Sequence, residues 1–167
     1  MSCIQGATNR GRKVQNVFSK TLSDLTEGEM LQMEKAFNSD TTQEDYIRII
    51  YCKTASLFES AALSGAMSVD APQEMVSAIG DFPRNIGIAF QIQDDILDVI
   101  GDSKELGKLT GSDEKDGKVT YVTMHGLKKA AGDVRRMSEE ALSLYDSLTA
   151  SNGFLRQLIT ELITRTK

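Results

Sequence analysis

The apolar residues of this chain recur mostly at intervals of three and four, which is the period of amphipathic α-helices. The first such pattern begins at Val14. A second follows Thr41 and Glu44, which have the spacing of a reciprocal helix-capping box. After a glycine-rich stretch, the same spacing returns over residues 121–165. The pattern predicts an all-α fold.

The N-terminal residues differ from the rest. They are polar, carry Arg10, Arg12 and Lys13, and show little apolar period. No internal repeat or linker divides the remainder. We therefore predict a loose N-terminal arm over residues 1–13 and one helical domain over residues 14–167.

The most apolar predicted helix covers residues 86–100. Pro83 suits its first turn, and Gly101 predicts its end. Apolar side chains occupy most of its circumference, so this helix should be largely buried. The exception is one narrow arc of small and polar residues: Gly87, Gln91, Asp94, Asp95 and Asp98.

The carboxylates of this arc allow two interpretations. Asp94 and Asp98 are four residues apart, so they lie on one side of the helix and repel each other. The arc is either a solvated stripe or a site for a hard divalent cation. Magnesium takes one or two carboxylates and completes its shell with water and phosphate oxygens. Because a helix this apolar should not lie at the surface, we favour the magnesium site.

Two basic features lie outside this helix. Lys53 falls in the middle of an apolar helix face, where an ammonium group is costly without a negative partner. Its stem reaches water, or it pairs with a carboxylate of a neighbouring helix, or it meets a negative ligand; the residues leave all three open. The glycine-rich stretch 101–117 leads to Lys118 and by itself predicts a mobile loop, whose cations could close over a metal-bound diphosphate.

Composition narrows the class of protein. The chain has 167 residues and a net charge of −5. This negative charge argues against non-specific binding of nucleic acid. Cys3 and Cys52 lack the paired spacing of a disulfide framework or zinc site, and their usage suits a reducing cytoplasm. Apolar stretches fall short of the ~18 residues of a membrane span. We expect a cytoplasmic protein without a membrane span.

The acidic arc belongs to a recognisable motif. The segment Phe90-Gln91-Ile92-Gln93-Asp94-Asp95-Ile96-Leu97-Asp98 resembles the second aspartate-rich motif of the trans-isoprenyl (polyprenyl) diphosphate synthases. Further segments follow the order of that family: Glu27-Gly28-Glu29-x-x-Gln32, Lys53-Thr54, Gly107-Lys108, Gly111-x-Asp113 and Gly117-Lys118-x-Thr120. Leu109 departs from the family, which commonly has proline after Gly-Lys.

The resemblance implies an antiparallel helix bundle around a deep cavity, the second half of an isoprenoid-synthase fold. It implies a prenyltransferase that uses Mg²⁺ to condense an allylic diphosphate with isopentenyl diphosphate. By the same resemblance, Asp94 is a direct metal ligand, and Asp95 and Asp98 are ligands or water-mediated supports. Catalysis falls to Lys53, Thr54 and Gln91, and substrate binding to Lys53, Phe90, Gln91, Lys108 and Lys118. Glu29 and Gln32 correspond to positions that face the cavity.

The resemblance covers only the second half of the family, because no first aspartate-rich motif is present. We therefore expect little prenyl transfer from this chain alone. We expect it to form a homo-oligomer or to assemble with a partner chain that supplies the missing half. Two alternatives are a non-catalytic or regulatory partner of a complete synthase, and a helical interaction module with a merely solvated acidic arc.

Overall fold

The computed structural model describes residues 2–36, 40–105, 119–148 and 152–165. These residues form helices and their connections, with no strand among them, which confirms the all-α prediction. The helices are α1 (Ser2–Lys35), α2 (Gln43–Ile50), α3 (Ser56–Ser68), α4 (Gln73–Ile79), α5 (Asp81–Glu105), α6 (Tyr121–His125), α7 (Leu127–Asp146) and α8 (Gly153–Thr164). A π-helical turn, Tyr51–Ala55, joins α2 directly to α3.

Helix α5 is the centre of the bundle. It packs most extensively against α7, and also against α3, α6, α8 and the π-helical turn. Ala89 and Ile92 near its middle are completely buried, as the nearly all-apolar helical wheel predicts. Helix α1 lies at the periphery, where it packs on α3 and the π-helical turn.

Two glycines let three segments approach closely. A Cβ atom added to Gly87 of α5 would lie 2.8 Å from the Cβ of Ala55 and closer still to its Cα. A Cβ atom on Gly28 of α1 would lie 2.8 Å from side-chain atoms of Cys52 and Lys53. Both contacts are too short for any side chain. The π-helical turn is therefore held between α1 and α5 at backbone distance.

Helix α1 is longer than the sequence predicts. It begins at Ser2, so residues 2–13, predicted as a loose arm, are helical. The segment has no proline, and glycine costs a helix only about 1 kcal/mol, so Gly6 and Gly11 do not end it. Gly101 likewise lies inside α5 rather than at its end.

The predicted capping box is present one residue further along the chain. Thr42, not Thr41, precedes α2, and its hydroxyl accepts a hydrogen bond of 3.1 Å from the backbone N–H of Asp45. The Asp45 carboxylate accepts the Thr42 backbone N–H at 3.0 Å in return. Because Thr42 is the N-cap, the third helical position belongs to Asp45 rather than to Glu44, and the Asp45 carboxylate closes the box.

Among the helices of the described ranges, none is both long and apolar enough to cross a bilayer.

Candidate functional site

The acidic arc of α5 is divided by its surroundings. Asp95 is buried, with 6% of its surface exposed, whereas Asp94 is partly buried and Asp98 is exposed. Three carboxylates that the sequence places together therefore have three different environments.

Asp95 ties α5 to two other helices. Its Oδ2 accepts the hydroxyl of Tyr46 at 2.5 Å and the backbone N–H of Tyr121 at 2.9 Å. Both donors are buried. Burial, reinforced by the negative charge of Asp95, raises the pKa of Tyr46 far above that of a free tyrosine, so its hydroxyl remains a donor. In this structure Asp95 holds α2 and the start of α6 against α5.

Asp94 has a cationic partner from the segment after α8. The guanidinium of Arg165 donates a hydrogen bond to Asp94 Oδ1 and forms an ion pair with it. Burial raises the pKa of the Asp94 carboxyl; the charge of Arg165 opposes this shift, and that of Asp98 adds to it. The repulsion expected between Asp94 and Asp98 is therefore present, and a positive charge meets it.

Lys53 also has partners, and both are on α1. Its ammonium nitrogen lies 2.9 Å from Glu29 Oε1 and donates a hydrogen bond to Gln32 Oε1. The structure thus shows the second of the open alternatives for Lys53, a carboxylate on a neighbouring helix. Because Lys53 belongs to the π-helical turn, a widened turn of the kind often found at functional sites, its position is fixed by local backbone geometry.

Two of the residues assigned to catalysis, Thr54 and Gln91, meet where the π-helical turn packs on α5. The Thr54 hydroxyl donates to Gln91 Oε1 at 3.1 Å, which joins the π-helical turn to α5 beside the Gly87–Ala55 contact. One residue before Gln91, the ring of Phe90 packs on Phe58 of α3, with centroids 5.7 Å apart. Lys53, Thr54, Gln91 and Asp94 are therefore carried by two segments in direct contact.

A cavity of about 450 Å³ opens beside this contact. Its lining includes Lys53, Gln91 and Asp95 from the predicted site, together with Gln32 and Lys35 of α1. The cavity has room for a diphosphate group and places two lysines at its wall. Lys108 and Lys118, the other predicted substrate-binding cations, lie outside the described residues.

The sequence interpretation missed three residues at this site: Tyr46, Tyr121 and Arg165. Tyr46 lies on the apolar face of its helix, and a buried tyrosine hydroxyl needs a partner, which was a usable signal. Arg165 had no such signal, because it lies 71 residues from Asp94 in the chain.

The acidic face suits magnesium by its chemistry. In the described part of the chain, no three His, Cys, Asp or Glu side chains are grouped to hold a metal ion by themselves. Magnesium does not need such a cage, since it binds through one or two carboxylates, retained water and phosphate oxygens. Asp94 and Asp98, four residues apart on one face, offer this smaller donor set.

Known proteins resemble this chain over most of its length. A family model described as polyprenyl synthetase matches residues 2–160. A short chain isoprenyl diphosphate synthase of Methanocaldococcus jannaschii is 38% identical over 133 residues, which cover 80% of this chain and 40% of the relative. The octaprenyl diphosphate synthase of Escherichia coli is 36% identical over 130 residues, covering 78% of this chain and 40% of the relative. This chain therefore matches well under half the length of these relatives.

Solved structures agree. A geranylgeranyl pyrophosphate synthetase from Pyrococcus horikoshii superposes with a TM-score of 0.81 at 27% identity, covering 94% of this chain and 60% of that one. A heptaprenyl diphosphate synthase from Staphylococcus aureus gives a TM-score of 0.78 at 25% identity, covering 93% and 60%. The helical bundle described above matches 60% of the length of each of these two synthase structures, and the chain belongs to the polyprenyl synthetase family.

Proposed function

We propose that this chain carries one half of the active site of a magnesium-dependent polyprenyl diphosphate synthase. The reaction condenses an allylic diphosphate with isopentenyl diphosphate. The observation that supports it best is the Thr54–Gln91 hydrogen bond, which holds the lysine-bearing π-helical turn against the helix that carries Asp94. The cavity beside this contact is lined by Lys53 of the turn and by Gln91 and Asp95 of α5, and Asp94 is the residue next to Asp95 on the same helix.

In this proposal the three carboxylates have separate roles. Asp94 binds the metal directly, and Asp98 supports it through water. Asp95 positions α5 through its bonds to Tyr46 and Tyr121. Bound magnesium would supply positive charge that helps the diphosphate leave the allylic carbon.

The basic residues bind the diphosphate. Lys53 borders the cavity, and its present partner Glu29 is largely exposed, so a diphosphate can replace that carboxylate at low cost. Lys108 and Lys118 are the further diphosphate-binding cations. Charge-assisted hydrogen bonds from ammonium groups to phosphate oxygens are about twice as strong as neutral ones.

The uncharged polar residues act near the reacting carbons. Thr54 and Gln91 present neutral oxygen dipoles, which favour positive charge in the transition state without capturing it as a carboxylate would. The Phe90 ring lies on the same helix, one residue away, and provides an apolar surface for isopentenyl diphosphate.

We further propose that the chain works in an assembly, either with copies of itself or with a partner chain that supplies the other half. Helix α1 exposes a row of large apolar side chains at helical spacing: Phe18 (55%), Leu22 (65%), Met30 (66%) and Met33 (70%). A row of this kind is typical of a surface that is covered in the functional protein. We place this assembly in the cytoplasm, where the free thiol of Cys52 fits a reducing environment.

Reconstitution tests the proposed activity. The chain is mixed with a polypeptide that contains the first half of a family relative, and transfer from labelled isopentenyl diphosphate to an allylic diphosphate is measured. We expect transfer only from the mixture and a loss of at least about tenfold for Lys53→Ala, which removes a charge-assisted contact. Lys129→Ala, which removes a surface pair with Asp133 on α7, is the matched control and should retain activity.

Two results would count against the proposal. One is a co-assembled mixture that transfers no prenyl group. The other is equal loss from Lys53→Ala and Lys129→Ala, which would assign the effect to general destabilisation rather than to diphosphate binding.

A further inference from the structure

The segment that follows α8 brings a guanidinium group to the proposed metal ligand. Arg165 leaves the helix with an extended backbone, φ −56° and ψ 143°. Its backbone carbonyl accepts a hydrogen bond of 3.2 Å from the Gln93 side chain, which anchors the segment to α5. Its guanidinium carbon lies 3.6 Å from the centre of the Phe90 ring, and the group donates to the Phe90 carbonyl at 3.3 Å and to Asp94 Oδ1.

A magnesium ion and the Arg165 guanidinium cannot both bind the Asp94 carboxylate directly. Magnesium binds carboxylate oxygens at about 2 Å and tolerates little distortion of its octahedron. A guanidinium that donates to the same oxygen brings a full positive charge against the metal, at a site whose partial burial weakens screening. Direct metal binding at Asp94 therefore requires Arg165 to withdraw.

Within the described residues, the Arg165 guanidinium does not use all of its hydrogen-bond donors, so it can be displaced from Asp94 by another cation. Among the residues that the structure describes, the buried Nε of Arg165 has no hydrogen-bond partner, whereas one terminal guanidinium nitrogen donates to both the Phe90 carbonyl and Asp94. A buried donor without an acceptor destabilises the position that it occupies. A guanidinium held in this manner is displaced more easily than one with all its donors paired.

We propose that Arg165 is an internal counter-ion that occupies Asp94 in the metal-free protein and competes with the divalent cation for it. This inference rests on the proposed function, because it takes Asp94 as the metal ligand. The Arg165 side chain thereby sets the metal concentration at which the site fills: the ion pair must open before Asp94 accepts the metal.

Direct metal binding tests the proposal without any activity assay. Mn²⁺ replaces Mg²⁺ as the probe, and free Mn²⁺ is measured by electron paramagnetic resonance during titration of the full chain. We expect Arg165→Ala to bind Mn²⁺ at least about tenfold more tightly than wild type, since one charge-assisted contact no longer competes. Arg165→Gln, which keeps a hydrogen-bond donor but no charge, should also bind more tightly.

The matched control is Arg156→Ala, which removes an ion pair of 2.9 Å between α8 and Asp146 at the end of α7 and should leave Mn²⁺ affinity unchanged. Asp94→Ala in the Arg165→Ala background should abolish the gain. If binding depends on Asp94 but is equal in wild type, Arg165→Ala and Arg165→Gln, the counter-ion proposal is wrong and the metal site stands. If no variant shows binding that depends on Asp94, the metal assignment itself fails.

Discussion

Asp95 provides the sharpest structural prediction, because its role differs from that of the two carboxylates beside it. Replacement by alanine removes the acceptor of two hydrogen bonds, from the Tyr46 hydroxyl and from the Tyr121 backbone N–H. Both donors are buried, so water does not readily replace the acceptor that they lose. The variant loses the connections of α2 and α6 to the central helix.

The expected magnitude follows from these contacts. Hydrogen bonds to a charged group contribute roughly 1.5–3 kcal/mol each. We therefore expect Asp95→Ala to lower the free energy of unfolding by about 3–6 kcal/mol, a large share of the roughly 5–15 kcal/mol typical of a domain. Tyr46→Phe removes only one of the two bonds and should cost about half as much.

Urea denaturation followed by circular dichroism at 222 nm measures these free energies by linear extrapolation. Asp98→Ala is the matched control on the same helix: its side chain is exposed, and we expect a change within about 0.5 kcal/mol. Equal losses from Asp95→Ala and Asp98→Ala would refute the structural role of Asp95. So would a Tyr46→Phe variant as stable as wild type.

Two further predictions concern packing and pH. Gly87→Ala should destabilise the fold by about 1–3 kcal/mol, because its Cβ would collide with Ala55. The control is Gly132→Ala on an open helix surface, which should be neutral or stabilising by up to about 1 kcal/mol. Thermal unfolding of both variants measures the difference. Hydrogen bonding to the Thr42 backbone, with help from Lys35, lowers the pKa of Asp45, so its contribution is present above the ordinary aspartate pKa of about 3.9 and is lost as the pH falls further. An Asp45→Asn variant should lose less stability than wild type over that acid range in urea titrations, and parallel losses would contradict the capping role.

Much of the fold is predictable because the spacing of apolar residues along the chain determines which segments are helical and which helix faces are buried. The apolar circumference of residues 86–100 predicts a buried helix, and α5 is the centre of the bundle. The predicted ends of the helices agree less well with the structure. Gly101 and the polar residues 2–13 carry only weak helix-breaking preferences, and the structure overrides them.

The different partners of Asp94 and Asp95 within the acidic arc were not predictable from the sequence. Asp94 and Asp95 are adjacent and chemically identical, and what separates them comes from remote parts of the chain. The Asp95 partner Tyr46 is 49 residues away, and the Asp94 partner Arg165 is 71 residues away. A helical wheel shows which residues share a face, but it does not show which neighbouring element covers each one.

Asp94 is proposed to anchor a magnesium-dependent diphosphate site. Calorimetric titration of inorganic diphosphate, with and without Mg²⁺, into wild type, Asp94→Ala and Asp98→Ala tests it most directly. We expect wild type to bind diphosphate only with Mg²⁺, Asp94→Ala to lose this binding, and Asp98→Ala to bind more weakly than wild type but measurably. Equal magnesium-dependent binding by wild type and Asp94→Ala would show that Asp94 does not anchor the site.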